Sequence, residues 1–109
     1  MTTWTQEQSI NFECAREAIN HVIAIYSAEI YNEEKKSSPD EQRLEMMNDR
    51  CLQLTRERSA MHVNDDEMVA EVRAKYSAII RAHAKHQGSI TDYDQCHQVS
   101  REEEASTGD

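Results

Sequence analysis

Four side chains near the C-terminal end of the chain are of types that hold metal ions: His83, His86, Cys96 and His97, with Asp92 and Asp94 close by. Imidazole and thiolate are donors that zinc and similar ions accept. The spacing does not match that chemistry. His83 and His86 stand three apart on a helical stretch, and Cys96 and His97 are adjacent, so neither a finger pattern nor HExxH is present. Both histidines suit the C-terminal end of a helix, where positive charge complements the dipole. They and the Cys96–His97 pair remain weak candidates, and the expectation is no metal and no other cofactor.

Catalytic arrangements are equally hard to assemble. His21 shares a helical face with Glu17, which gives an ordinary intrahelical pair, and no Glu-x-x-His of the di-iron bundle type occurs. Cys14, Cys51 and Cys96 lack a histidine partner at any recognisable spacing. They are odd in number and far apart, as reduced thiols are, and unlike a secreted disulfide framework. Cys14 and Cys51 fall in apolar helical stretches, where a free cysteine acts as a small hydrophobe. There is no glycine-rich phosphate loop. The chain reads as a non-enzyme.

Positioning these residues falls to long helices. The 109 residues include two glycines and one proline, a scarcity of breakers that excludes a sandwich, a barrel or another turn-rich fold. Ser38-Pro39-Asp40-Glu41 reads as a helix start, with serine at the N-cap, proline at N1 and glutamate closing a capping box. Behind it Leu44, Met47, Cys51, Leu54, Arg58 and Met61 recur at spacings of three and four, the helical period. Asn64-Asp65-Asp66-Glu67 repeats the signal with an asparagine cap. Val69, Val72, Tyr76, Ile79 and His83 follow, and Gly88 stands where a left-handed residue ends a helix.

The first helix carries Phe12, Ala15, Ile19, Val22, Tyr26 and Ile30 as its principal stripe. Cys14, Ala18 and Ile25 widen the stripe on one side and Ile23 on the other, to roughly half the circumference. Such a helix either lies between the other two or also buries surface against another chain. Helices over about 5–36, 39–62 and 65–87, with short connections, predict an all-α, antiparallel three-helix bundle across residues 1–88. In residues 89–109, Thr91-Asp92-Tyr93-Asp94 starts a short fourth helix edged by Ile90, Tyr93, Cys96 and Val99. An acidic, disordered tail containing Glu102, Glu103 and Glu104 follows.

The charge bounds the partners. With 21 acidic against 12 basic residues, the formal charge is −9, which disfavours direct binding to nucleic acid or to an anionic membrane. The longest apolar run, Val22 to Tyr26, is too short to span a bilayer. The opening MTTWTQEQ has neither the basic nor the apolar segment of a signal peptide, so a cytoplasmic location is expected.

What remains is surface. Met46 and Leu52 lie off the second seam, Trp4 precedes the first helix, and the Cys14, Ala18 and Ile25 flank widens it. Arg58 interrupts an apolar seam, either as a snorkelling side chain near Asp65, Glu71 or Glu13, or as a polar register-setting residue at an interface. These seven residues nominate an interface. The expected function is protein–protein interaction, as a regulator, inhibitor or assembly adaptor and as a homodimer that also binds another protein. The alternative is an acidic decoy that mimics nucleic acid and blocks a basic groove on a nucleic-acid-binding protein.

Overall fold

The computed structural model describes residues 4–86 and Ile90, with the side chain of His86 outside that description. Among these residues the chain is all-helical: α1 spans Gln6–Glu34, α2 Glu41–Ala60 and α3 Asp66–His86. Gly88, the expected fourth helix after Ile90 and the acidic tail lie outside the described residues. No described helix is long and apolar enough to cross a membrane.

Local chemistry sets each start. Thr5 caps α1: its Oγ1 accepts the Gln8 backbone N–H at 3.1 Å, while its own N–H donates to Gln8 Oε1 at 2.8 Å, a reciprocal capping box. At α2 the cap is Asp40, not Ser38. Asp40 has extended backbone and its Oδ1 accepts from the Arg43 N–H at 3.1 Å. The shift has a tertiary cause, because the Asp40 N–H is bound to Glu33 Oε2 at 2.9 Å. That bond fixes Asp40 just outside the helix, and Pro39 falls before the first turn.

At α3 the cap moves one residue, from Asn64 to Asp65. The Asp65 N–H donates to the His62 carbonyl at 3.1 Å, so Asn64 is spent inside a tight turn, and Asp65 Oδ1 accepts from the Met68 N–H at 3.1 Å.

The three helices run up, down and up. Gln8 on α1 meets Asp66 on α3 at 2.9 Å, and Asn11 meets Arg73 at 2.9 Å, so α1 and α3 are parallel neighbours. Arg43 at the start of α2 meets Glu29 and Glu33 near the end of α1, so α2 is antiparallel to both. α1 forms the principal contact with each of the other two, and α2 and α3 touch each other less.

This central position explains the width of its apolar surface. Ala15, Ala18, Ile19, Val22 and Tyr26 are buried in α1, and Phe12, Ile23, Ile25 and Ile30 pack on the core from its edges. Met47 and Leu54 of α2, Met61, and Val69, Val72, Tyr76 and Ile79 of α3 complete the core with Ile90. Each large aliphatic side chain so buried contributes about 1.5–3 kcal/mol.

Candidate functional site

Two carboxylates near the end of α1 gather the chain. Glu33 is only 3% exposed. Its Oε1 accepts from Lys36 Nζ at 2.9 Å and from Arg43 Nη1 at 3.2 Å, and its Oε2 takes the Asp40 N–H. One turn earlier, Glu29 Oε1 accepts from Arg43 Nη2 at 3.1 Å, and its Oε2 accepts from the Ile90 backbone N–H at 2.8 Å. His83 Nε2 stands 3.9 Å from the same oxygen.

The helical repeat puts Glu29 and Glu33 on one face, and the Arg43 guanidinium forks across both. The Asp40 amide, and then the Lys36 ammonium, hold the Glu33 carboxyl below the usual carboxylate range, against the opposing effect of burial. A carboxylate kept ionised and fully engaged is suited to anchoring rather than to proton transfer. Here it ties the end of α1, the α1–α2 connection and the start of α2 together. Glu29 extends the tie to α3 and Ile90.

A second polar group links α2 with α3. The fully buried Tyr76 donates its hydroxyl to Glu57 Oε2 at 2.7 Å and accepts from Arg50 Nη2 at 3.2 Å. Burial drives its ionisation well above the usual tyrosine range, and the Arg50 charge opposes this. Arg58 is half-buried and donates to Asn20 Oδ1 on α1, rather than to Asp65, Glu71 or Glu13. Its polar contact is thus made between helices of the same chain. Burial also pushes the half-buried Cys51 thiol up, which makes it a poor nucleophile.

The histidine candidates are only partly in view. His83 faces Glu29, while the side chain of His86, and Cys96 and His97, lie outside the described residues. Among the described residues no group of three His, Cys, Asp or Glu side chains could hold a metal ion.

The outer surface offers more. A groove of about 520 Å³ runs between α1 and α3, lined by Asn11, Val69, Ala70, Arg73, Ala74 and Arg81 among others. The small side chains of α3 leave this space. A shallower hollow of about 340 Å³ lies beside Trp4, between Phe12, Met61 and Val63. Among the described residues five large apolar side chains are exposed: Trp4 at 42%, Ile10 at 56%, Tyr31 at 61%, Met46 at 37% and Leu52 at 55%.

Of the nominated interface residues, Trp4, Met46 and Leu52 are thus at the surface. Cys14 and Ile25 are half-buried. Ala18, 8% exposed, belongs to the core, because α1 packs on both neighbouring helices at that position. Ile10 and Tyr31 were not nominated. Their signal was present, since a helical wheel sets both opposite Ala15 and Val22. No protein-family model, no curated protein and no solved structure matches this chain.

Proposed function

We propose that this chain is a non-enzymatic helical protein of the cytoplasm that acts by binding proteins, itself included, as a regulator, inhibitor or assembly adaptor. The observation that supports this reading is the set of exposed apolar side chains that lie outside the buried core of the described residues. Single exposed hydrophobes are ordinary. Here Met46 and Leu52 on α2, and Ile10 and Tyr31 on α1, leave apolar surface on two helices at once, as partner-binding surfaces do.

The test is affinity capture of the tagged protein from its native host, at low and at moderate salt, beside Leu52→Glu and Met46→Glu. A stoichiometric protein partner lost in either variant is the expected result. Recovery of no protein at either salt concentration overturns the reading.

A second reading, a nucleic-acid-mimicking decoy, is favoured by one feature. Glu41, Glu45 and Asp49 are exposed at four-residue intervals on α2, a row of carboxylates at steps of about 6 Å. Such a row can stand in for phosphates on a basic partner. A partner that is held at low salt and released at moderate salt favours this version, and one retained at both argues against it.

A further inference from the structure

We propose that two copies of this chain associate through the outward face of α1, with the two helices antiparallel and crossing at His21. The proposal rests on the reading of the chain as a protein-binding module and names one partner, a second copy.

The face lies opposite the buried row of Ala15, Ile19, Val22 and Tyr26. It carries Ile10, Glu17, His21, Ala24, Ala28 and Tyr31 at spacings of seven, four and three, the repeat that keeps one seam of a helix facing a neighbour. All six are exposed. Tyr31 and Ile10 are the two most exposed of the large apolar side chains described, and they stand at opposite ends of the seam. Ala24 and Ala28 between them are small enough for a second helix to approach closely. α1 is about 44 Å long, so the seam is long enough for a helix–helix contact.

Charge decides what covers this face and in which direction. With the crossing at His21, each residue meets the one equally far along on the other side. Glu7 then stands against Lys35 of the second copy, twice by symmetry, and Cys14 stands against Ala28. Ile10 falls within the same turn as Tyr31 of the second copy. Glu17 stands against Ile25, one residue from Ala24, where its stem covers apolar surface and its head reaches water. The parallel arrangement sets Glu7, Glu17 and Lys35 each against its own like charge. The seam is therefore self-complementary in one direction only. A symmetric pair of this kind satisfies the requirement that the same patch serve both subunits.

One helix face buries less than the roughly 800 Å² per partner of a standard interface, so the dimer is expected to be reversible, with a dissociation constant on the order of 10 μM. Sedimentation velocity over a concentration series measures it directly. Ile10→Glu and Tyr31→Glu, both at exposed positions, are expected to weaken dimerisation at least roughly tenfold, since each places two charges in an apolar seam. Their circular dichroism and melting temperature should stay near those of the parent.

Glu7→Lys and Lys35→Glu singly should weaken it by roughly threefold to tenfold, and the double exchange should restore it. A bismaleimide linker applied to Ala28→Cys should join Cys14 to the new thiol of the second copy, as read by peptide mass spectrometry. Within one chain those positions are about 21 Å apart along the helix, beyond the reach of a short linker.

A monomer at every concentration overturns the proposal and leaves capture of a different protein untouched. A dimer indifferent to Ile10→Glu and Tyr31→Glu, or one that links Cys14 to Cys14, overturns the face or its direction. Capture of no other protein by the parent chain, with the dimer intact, defeats the wider reading alone.

Discussion

Glu33 shows how one side chain can settle the geometry of several segments. Three donors converge on it, from Lys36, Arg43 and the Asp40 backbone, and when the carboxylate goes the Asp40 amide loses its acceptor while Arg43 keeps only its bond to Glu29. Glu33→Ala is therefore expected to lower the melting temperature far more than Glu34→Ala, at the exposed neighbouring position, in parallel thermal melts. Its pH dependence follows from the lowered ionisation. The contribution is present above the ordinary glutamate value of about 4.3 and is lost as pH falls through the depressed one. The stability gap between the parent and Glu33→Gln should thus narrow on acidification.

Tyr76 gives the opposite sign. Its raised ionisation means that its contribution is intact below the ordinary tyrosine value of about 10 and declines as pH rises beyond it. Tyr76→Phe removes a donor from Glu57 and an acceptor from Arg50, and should cost about 1–2 kcal/mol in urea denaturation at neutral pH. Tyrosinate absorbance compared between the parent and Tyr76→Phe should show the Tyr76 contribution appearing only as the alkaline protein unfolds.

The helix boundaries turn on which polar side chain reaches the first free amides. A serine before a proline, with glutamate two residues beyond, is a strong capping pattern. Yet Asp40 holds the cap of α2 because Glu33 pins its amide from outside. The same competition at α3 leaves Asn64 in the turn and gives Asp65 the cap. Asp40→Ala and Asp65→Ala should each cost about 1 kcal/mol, whereas Ser38→Ala should stay within about 0.5 kcal/mol. Equilibrium denaturation of the three variants separates the two accounts: an effect at Ser38 equal to that at Asp40 would restore the capping box read from sequence. The breadth of the apolar surface on α1 has a similar explanation. A helix that packs on two others needs a wider stripe than either neighbour, so Ala18 and Ile25 face inwards although they lie off the main seam.

At the scale of the whole molecule, Ile90, beyond α3, packs into the core of the bundle. Ile90 is fully buried, and its backbone N–H donates to Glu29. That contact closes the same end of the bundle that Arg43 and Glu33 hold, so the polar tie and the apolar plug reinforce each other. Ile90→Ala should destabilise the fold by about 2–4 kcal/mol, and hydrogen exchange in the parent should show the Ile90 amide protected. An Ile90 amide exchanging at the rate of an unfolded chain would contradict this closure. The association proposed between copies belongs to the same scale: a dimer stabilises each folded chain by mass action, so a melting temperature that rises with concentration is its expected sign.

The sequence alone determined the helical class, the number of helices among the described residues and most of the core. Those features follow from local rules: few glycines and prolines, and apolar residues at three- and four-residue spacings in Met47, Leu54, Val69, Val72, Tyr76 and Ile79. The exposure of Trp4, Met46 and Leu52 was legible for the same reason, since Met46 and Leu52 lie off the second seam and Trp4 precedes the first helix. The tertiary structure decided what depends on residues far apart in the chain. Asp40 took the cap because Glu33 reaches it across the connection, and Arg58 met Asn20 because α1 lies beside α2. Ala18 was buried because α1 is central. The packing of α1, α2 and α3 brought Glu29, Glu33 and Arg43 to one place. Charges carry no periodic signal of their partners, so only the fold could pair them.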